Sequence, residues 1–210
     1  IPLLPDPEWA RTCLDKYACG LRLQDGGWHV PWTSNSLTET KVALSEGRVN
    51  FPLMVKARMG FGSLGLHKCR NLEELDNLYH HVQAELADSI LQRFCPLPED
   101  ELVLTQEVID GPECCVDVVN DLNGNYVTHF ACQVHSMRAG ESDRVITIDP
   151  AFVGNLPQRL SCMTRHAGMW GLDLMLHNGD PKIIDINPRF TGDYPFQHIA
   201  GANLPAALLA

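Results

Sequence analysis

The chain has 210 residues, 45% of them hydrophobic and 20% charged, with a formal net charge of −10 and a pI near 5.2. That length buries a core in one domain or in two small lobes, and no apolar run approaches the roughly 18 residues that span a bilayer, so no membrane partner is expected. The acidic balance excludes an extended nucleic-acid groove, which needs clustered Lys and Arg, but leaves room for small anionic substrates in a local basic pocket.

Pro5-Asp6-Pro7-Glu8 reads as a turn into a helix that takes in Trp9 to Lys16, with proline and acidic residues at its first turn. A second helical run through Leu23 stops near Gly26-Gly27. Phe51 to Lys56 is a short apolar strand ending in lysine, and Leu66-His67-Lys68-Cys69 is its hairpin partner across Gly60 to Gly65. Asn71 with Glu74 makes a capping box for a helix running to about Phe94, where Pro96 and Pro98 end it. Leu102 to Ile109, Glu113 to Asn120 and Asn125 to Val134 are rich in β-formers, with a turn at Asp121-Leu122-Asn123-Gly124. A helix around Pro157 to Gly168 leads into a hairpin of Gly171 to Leu176 and Lys182 to Asn187 about Asn178-Gly179. The mixture predicts an α+β fold with mainly antiparallel sheets and a lobe boundary between Pro96 and Thr105.

The eight cysteines show neither CxxC spacing nor a small loop-rich context, so reduced, mostly core thiols are expected. No signal peptide is visible, and a start at Ile1 rather than Met leads to the expectation of a preceding N-terminal part.

Three stretches carry chemistry. Gly60-Phe61-Gly62-Ser63-Leu64-Gly65 fits GxGxxG, but a strand rather than a helix follows it, which sets it apart from a dinucleotide-binding loop. Its lysine, Lys56, precedes the loop, unlike a kinase lysine; backbone N–H groups of such a hairpin tip can close over a triphosphate while Lys56 supplies a point charge. Thr105 to Glu113 places a strand end, a Gly-Pro turn and a carboxylate together, as an adenosine pocket requires. In Ile184-Asp185-Ile186-Asn187-Pro188-Arg189 the polar residues alternate with apolar ones, so Asp185 and Asn187 leave one face of a strand as hard oxygen ligands suited to Mg2+, and Arg189 can neutralise phosphate charge.

These stretches, in this order and together with Leu14-Asp15-Lys16, resemble the ATP-grasp superfamily and more narrowly its carbamoyl-phosphate-synthase large-chain-like members. The resemblance implies two α+β lobes sandwiching ATP: residues 1–30 as a linker and helix from a missing N-terminal domain, 31–104 as the small lid subdomain with the glycine loop, and 105–210 as the catalytic subdomain. It implies that Lys16, Lys56, Gly60, Gly62, Ser63 and Gly65 meet the phosphates, that Gln106, Glu107 and Ile109 lie at the adenine-facing hinge, and that Glu113 meets the ribose. Asp173, Asp185 and Asn187 match the magnesium positions, with Mn2+ as an alternative ion; Arg189 and Arg138 match catalytic positions beside the transferred phosphate and the intermediate. The implied activity is a cytoplasmic ATP-dependent carboxylate–amine ligase working through an acyl phosphate on small-molecule substrates, with a homodimer allowed. The single unit, against two tandem units in the synthase, makes carbamoyl phosphate doubtful as the product.

A nucleotide-binding or regulatory module without turnover is the alternative, against which Asp185, Asn187 and Arg189 weigh. Two structural expectations follow. Lys56, read as an exposed strand-end lysine, should contribute little to folding. Asp173 reaches the face of Asp185 only through an odd-length loop or an equivalent bulge, because a plain two-residue Asn178-Gly179 turn would pair it with Ile184.

Overall fold

The structure, a computed structural model, describes residues 6–60, 63–94, 97–138 and 140–209. It forms two compact units, one of Leu14–Ile109 and one of the chain from Asp110 onward together with the chain up to Cys13. Helix α1 (Pro7–Leu14) ends at Asp15, whose side chain accepts from the N–H groups of Tyr17 and Ala18 and so caps α2 (Lys16–Asp25).

In the first unit, β1 (Thr33–Ser34), α3 (Leu37–Ser45), β2 (Leu53–Ala57) and β3 (His67–Cys69) are followed by α4 (Leu72–Ala87), α5 (Ile90–Phe94) and β4 (Val103–Glu107). The strands form a four-stranded sheet in the order β1-β4-β2-β3, antiparallel throughout. Alternation in β2 puts Leu53, Val55 and Ala57 on one face, and the helical spacing of Leu75, Tyr79, Val82 and Leu86 in α4 supplies the apolar stripe that closes the same core. Each fully buried Leu or Val there contributes about 1.5–3 kcal/mol. Asn71 caps α4 at Glu74 N, and the Glu74 carboxylate accepts from Arg70 N. The expected single helix to Phe94 is corrected: α4 stops at Ala87, because Ser89 turns back on Leu86 O through both its N–H and its hydroxyl.

The second unit holds β5 (Glu113–Asn120), β6 (Tyr126–Arg138), β7 (Glu141–Thr147), α6 (Leu156–Thr164), β8 (Met169–His177), β9 (Asp180–Asn187), α7 (Tyr194–Ile199) and α8 (Leu204–Leu209). The five strands lie in the order β7-β6-β5-β8-β9, each neighbour antiparallel. One face carries Cys114, Val116, Val118, Trp170, Leu172 and Leu174, all buried. The Asn120 amide ties this sheet to α6, donating to His166 O and accepting from Ser161 Oγ.

Sequence patterning misses β7 and the extension of β6 to Arg138, since Ser136 to Asp143 lacks β-formers and is held by ladder pairing about a turn at Gly140 (φ 81°). The helix expected to reach Gly168 ends at Thr164, where Arg165 takes a left-handed conformation (φ 49°) as its cap. Among the described residues no helix is long and apolar enough to cross a membrane.

Candidate functional site

In the first unit Lys56 lies on β2, diagonal to Gln106 on β4. Its Nζ donates to Gln106 Oε1 at 2.8 Å, and Gln106 Nε2 donates to Thr33 Oγ1 at 2.9 Å. Lys56 is only 8% exposed, so its reading as an exposed strand-end lysine is corrected: the sheet buries its stem and a side-chain oxygen receives its charge. Lys16 opens α2, and its backbone N–H donates to Arg58 O. Beside it stands a group not foreseen from the sequence: Arg58 makes two bonds to the Asp15 carboxylate (2.9 and 2.8 Å), one to Glu101, and lies over the Tyr17 ring.

Of the glycine loop, Gly60 (φ 155°), Ser63 (φ 59°) and Gly65 (φ 63°) are described, whereas Phe61 and Gly62 lie outside the described residues. Gly65 has a packing role as well: a Cβ there would meet Val82 Cγ1 of α4 at 2.8 Å. Glu107 at the end of β4 donates its N–H to Trp32 O, and Ile109 is buried.

In the second unit, direct cross-strand pairing draws one row over the whole sheet: Thr147, Cys132, Cys115, Asp173 and Asp185. Directly opposed residues share a face, so Asp173 and Asp185 project together. The device is the bulge anticipated as one of two routes. Asn178 (φ 53°) and Gly179 (φ 89°) form a two-residue turn closed by His177 and Asp180, and Ile184 is the extra residue between the pairs Leu174–Ile183 and Asp173–Asp185. Asn187 Nδ2 donates to Asp173 Oδ2 at 3.1 Å, while Arg189 donates to Asn187 Oδ1 at 3.3 Å. Asp173, Asp185, Asn187 and Arg189 are thus brought together. Glu113 opens β5 on the same face, behind a turn held close to β8; a Cβ on Gly111 would lie 1.9 Å from Leu176 O.

Arg138 is not brought to this group. It sits six residues beyond Cys132 on β6, about 20 Å along the strand, its side chain 81% exposed and 3.5 Å from Asp143.

Three further polar residues on this face escaped sequence reading. Asp117 follows the row by two positions, opposite Gly171, and the missing side chain of Gly171 admits Thr191, whose Cγ2 would be 2.1 Å from a Cβ there. Thr191 Oγ1 donates to Asp117 Oδ1 at 2.6 Å, and Asp193 is buried close by. Burial pushes the Asp117 carboxyl up to about 6, with Asp193 adding to the rise and bonds from Thr191 and Gln197 opposing it. Burial, then Asp193, also raises Glu113.

The Asp117 shift has a stability consequence. Its folded pKa lies above the unfolded value of about 3.9, so the folded chain holds the extra proton between about pH 4 and 6, and stability falls as pH rises through that window. A shift of about two units corresponds to about 3 kcal/mol. Asp117→Asn, which keeps an acceptor for Thr191, is expected to stabilise the metal-free chain by about 2 kcal/mol near pH 7.5 and hardly at all near pH 4. Denaturant unfolding in chelator checks this, and an equal effect at both pH values would refute the burial argument.

The arrangement is that of an α+β protein with the ATP-grasp fold, and comparison with known proteins agrees. A family model described as the ATP-grasp domain matches residues 13–193. The chain belongs to that family. It is 24% identical over 193 residues to an uncharacterized protein of Sinorhizobium fredii, covering 90% of this chain and 39% of that one. It is 24% identical over 183 residues to acetyl-CoA carboxylase of Dictyostelium discoideum, covering 83% of this chain and 7% of that one. Among solved structures, the biotin carboxylase domain of Hydrogenobacter thermophilus 2-oxoglutarate carboxylase, bound to MgADP, ADP and bicarbonate, superposes with TM-score 0.79 at 19% identity, over 96% of this chain and 46% of that one. An L-amino acid ligase of Bacillus licheniformis superposes with TM-score 0.71 at 19% identity, over 95% and 49%. The chain therefore spans less than half the length of these relatives.

Proposed function

We propose that the chain is the nucleotide-binding and phosphoryl-transfer part of an ATP-dependent carboxylate–amine ligase, forming a C–N bond through an acyl phosphate. The observation that carries this reading is the pairing of Asp173 with Asp185, joined on their face by Asn187 and Arg189. Carboxylate and amide oxygens are the donor set a hard divalent cation takes, so Asp173, Asp185 and Asn187 would hold Mg2+, or Mn2+ in its place, which supplies charge neutralisation for ATP phosphates.

Lys16 and Lys56 would bind phosphate oxygens as point charges, and the Gly60, Gly62, Ser63 and Gly65 backbone would present N–H donors to them. Gln106, Glu107 and Ile109 would face adenine, and Glu113 would accept the ribose hydroxyls. Arg189 would bind the transferred phosphoryl group, and no protein nucleophile is needed. Arg138 has no part in this reading. The motif order of the carbamoyl-phosphate-synthase-like members supports acyl-phosphate chemistry. A cytoplasmic homodimer fits, the dimer by likeness to a carboxylase domain solved as one.

The test is ADP release with MgATP in the presence of amino acids, dipeptides, bicarbonate or ammonia, run on this chain and on the longest natural form that contains it. Release that depends on one carboxylate and one amine supports the ligase. ATP binding with no release under any pair would make the chain a binding module. Lys56→Met is expected to weaken ATP binding about tenfold or more in calorimetry while costing about 1 kcal/mol of stability, since it also removes the bond to Gln106. Unchanged affinity would take Lys56 out of the site.

A further inference from the structure

Next to the oxygen face, the same row carries a second cluster of a different chemistry. Cys115 and Cys132 are directly opposed on β5 and β6, and Asp193 reaches them from the start of α7. The two Sγ atoms and a carboxylate oxygen all lie within 4.8 Å of one another. All three side chains are more than nine-tenths buried, with exposures of 5%, 1% and 7%.

The orientation of Asp193 is informative. An aspartate at a helix N-cap ordinarily accepts from the first turn, but this one makes no capping bond. Its Oδ1 is instead buried without a hydrogen-bond partner among the described residues. A buried carboxylate oxygen left so costs stability unless something else meets it, and an oxygen of this carboxylate lies within 4.8 Å of both thiol sulfurs.

We propose that Cys115, Cys132 and Asp193 form a three-ligand site for a borderline-soft divalent cation of the zinc class, separate from the hard-cation face of Asp173, Asp185 and Asn187. Two sulfurs and one carboxylate select zinc or cadmium over magnesium. Tetrahedral bonds of about 2.3 Å to sulfur set ligand atoms about 3.7 Å apart, which a small inward shift from the present spacing achieves. The fourth position is left to water. Binding converts both thiols to thiolates and releases two protons to solvent, so affinity rises with pH. The side-chain hydrogen bond with Cys132, then burial, holds the Cys115 thiol well above its usual range.

The experiment uses the whole chain, reduced and stripped with chelator, and titrates it with cadmium chloride in excess magnesium and without nucleotide, so that it stands apart from the ligase reading. A thiolate-to-cadmium charge-transfer band should saturate at one ion per chain, with about two protons released per ion in calorimetry run in two buffers. Cys132→Ser should weaken cadmium binding by about 100-fold or more and the isosteric Asp193→Asn by about tenfold, while Cys162→Ser, at an exposed thiol, leaves it unchanged. Circular dichroism confirms that each variant is folded; should Cys132→Ser not fold, Asp193→Asn and Cys115→Ala decide. No band at stoichiometric cadmium, a band that excess magnesium abolishes, or a band retained in the folded Cys132 and Asp193 variants would overturn the proposal.

Discussion

Asp185→Ala is expected to lower MgATP turnover by about 100-fold or more with little loss of stability. The side chain is half-buried, and its Oδ1 accepts from Ile186 N at 3.1 Å. Truncation at such a position opens no core cavity, so the cost to folding is expected to stay within about 1 kcal/mol. Function should respond differently. On the proposed reading Asp185 is one of two carboxylates around the cation, and removing a ligand damages metal affinity more than the 10- to 100-fold that loss of an outer-shell partner brings. ADP release measured against Mg2+ concentration checks this. The loss should be only partly recovered at high Mg2+, and Asp173→Ala should behave alike. Turnover at the parent level in either variant would remove that residue from the mechanism.

Arg58→Ala is expected to destabilise the first unit by about 3–5 kcal/mol, the range found when one partner of a buried ion group is removed. The Arg58 side chain is 12% exposed and that of Asp15 15%, so the charges are largely out of water. The guanidinium fork meets both oxygens of Asp15 at 2.9 and 2.8 Å, a geometry lysine cannot reproduce, and Arg58→Lys should recover little. Asp15 also caps α2, so an unpaired Asp15 would loosen the helix start that carries Lys16. Denaturant unfolding followed by a probe in Leu14–Ile109 gives the number, and a double-mutant cycle with Asp15→Ala isolates the pair. A loss under 1 kcal/mol would mean that the group is solvated rather than buried.

Much of the candidate site was legible because its signals are local. The alternation of Ile184, Asp185, Ile186 and Asn187 shows which side chains share a strand face, and the residues around Asn71, Gly65 and Asn178 follow from capping and turn chemistry within a few positions. The Ser36-x-x-Glu39 pattern, which does start α3, was a local signal of the same kind that went unread.

What stayed hidden has in common a large separation along the chain. Lys56 looked exposed because burial of a strand end depends on the strands laid beside it, and β4 with Gln106 comes 50 residues later. Arg58 meets Asp15 across 43 positions, and Thr191 meets Asp117 across 74, over a sheet position that only Gly171 leaves open. β7 was missed because its opening residues, Glu141 to Asp143, have little strand preference of their own and the ladder to β6 holds them. The row Cys132–Cys115–Asp173–Asp185 depends on the register of three hairpin and cross-sheet pairings at once. The residues themselves determined that a carboxylate-bearing strand, a lysine and a glycine loop exist. The bulge at Ile184, a choice between registers that local preference could not make, decided that the two carboxylates meet, because a shift of one position carries every side chain to the opposite face.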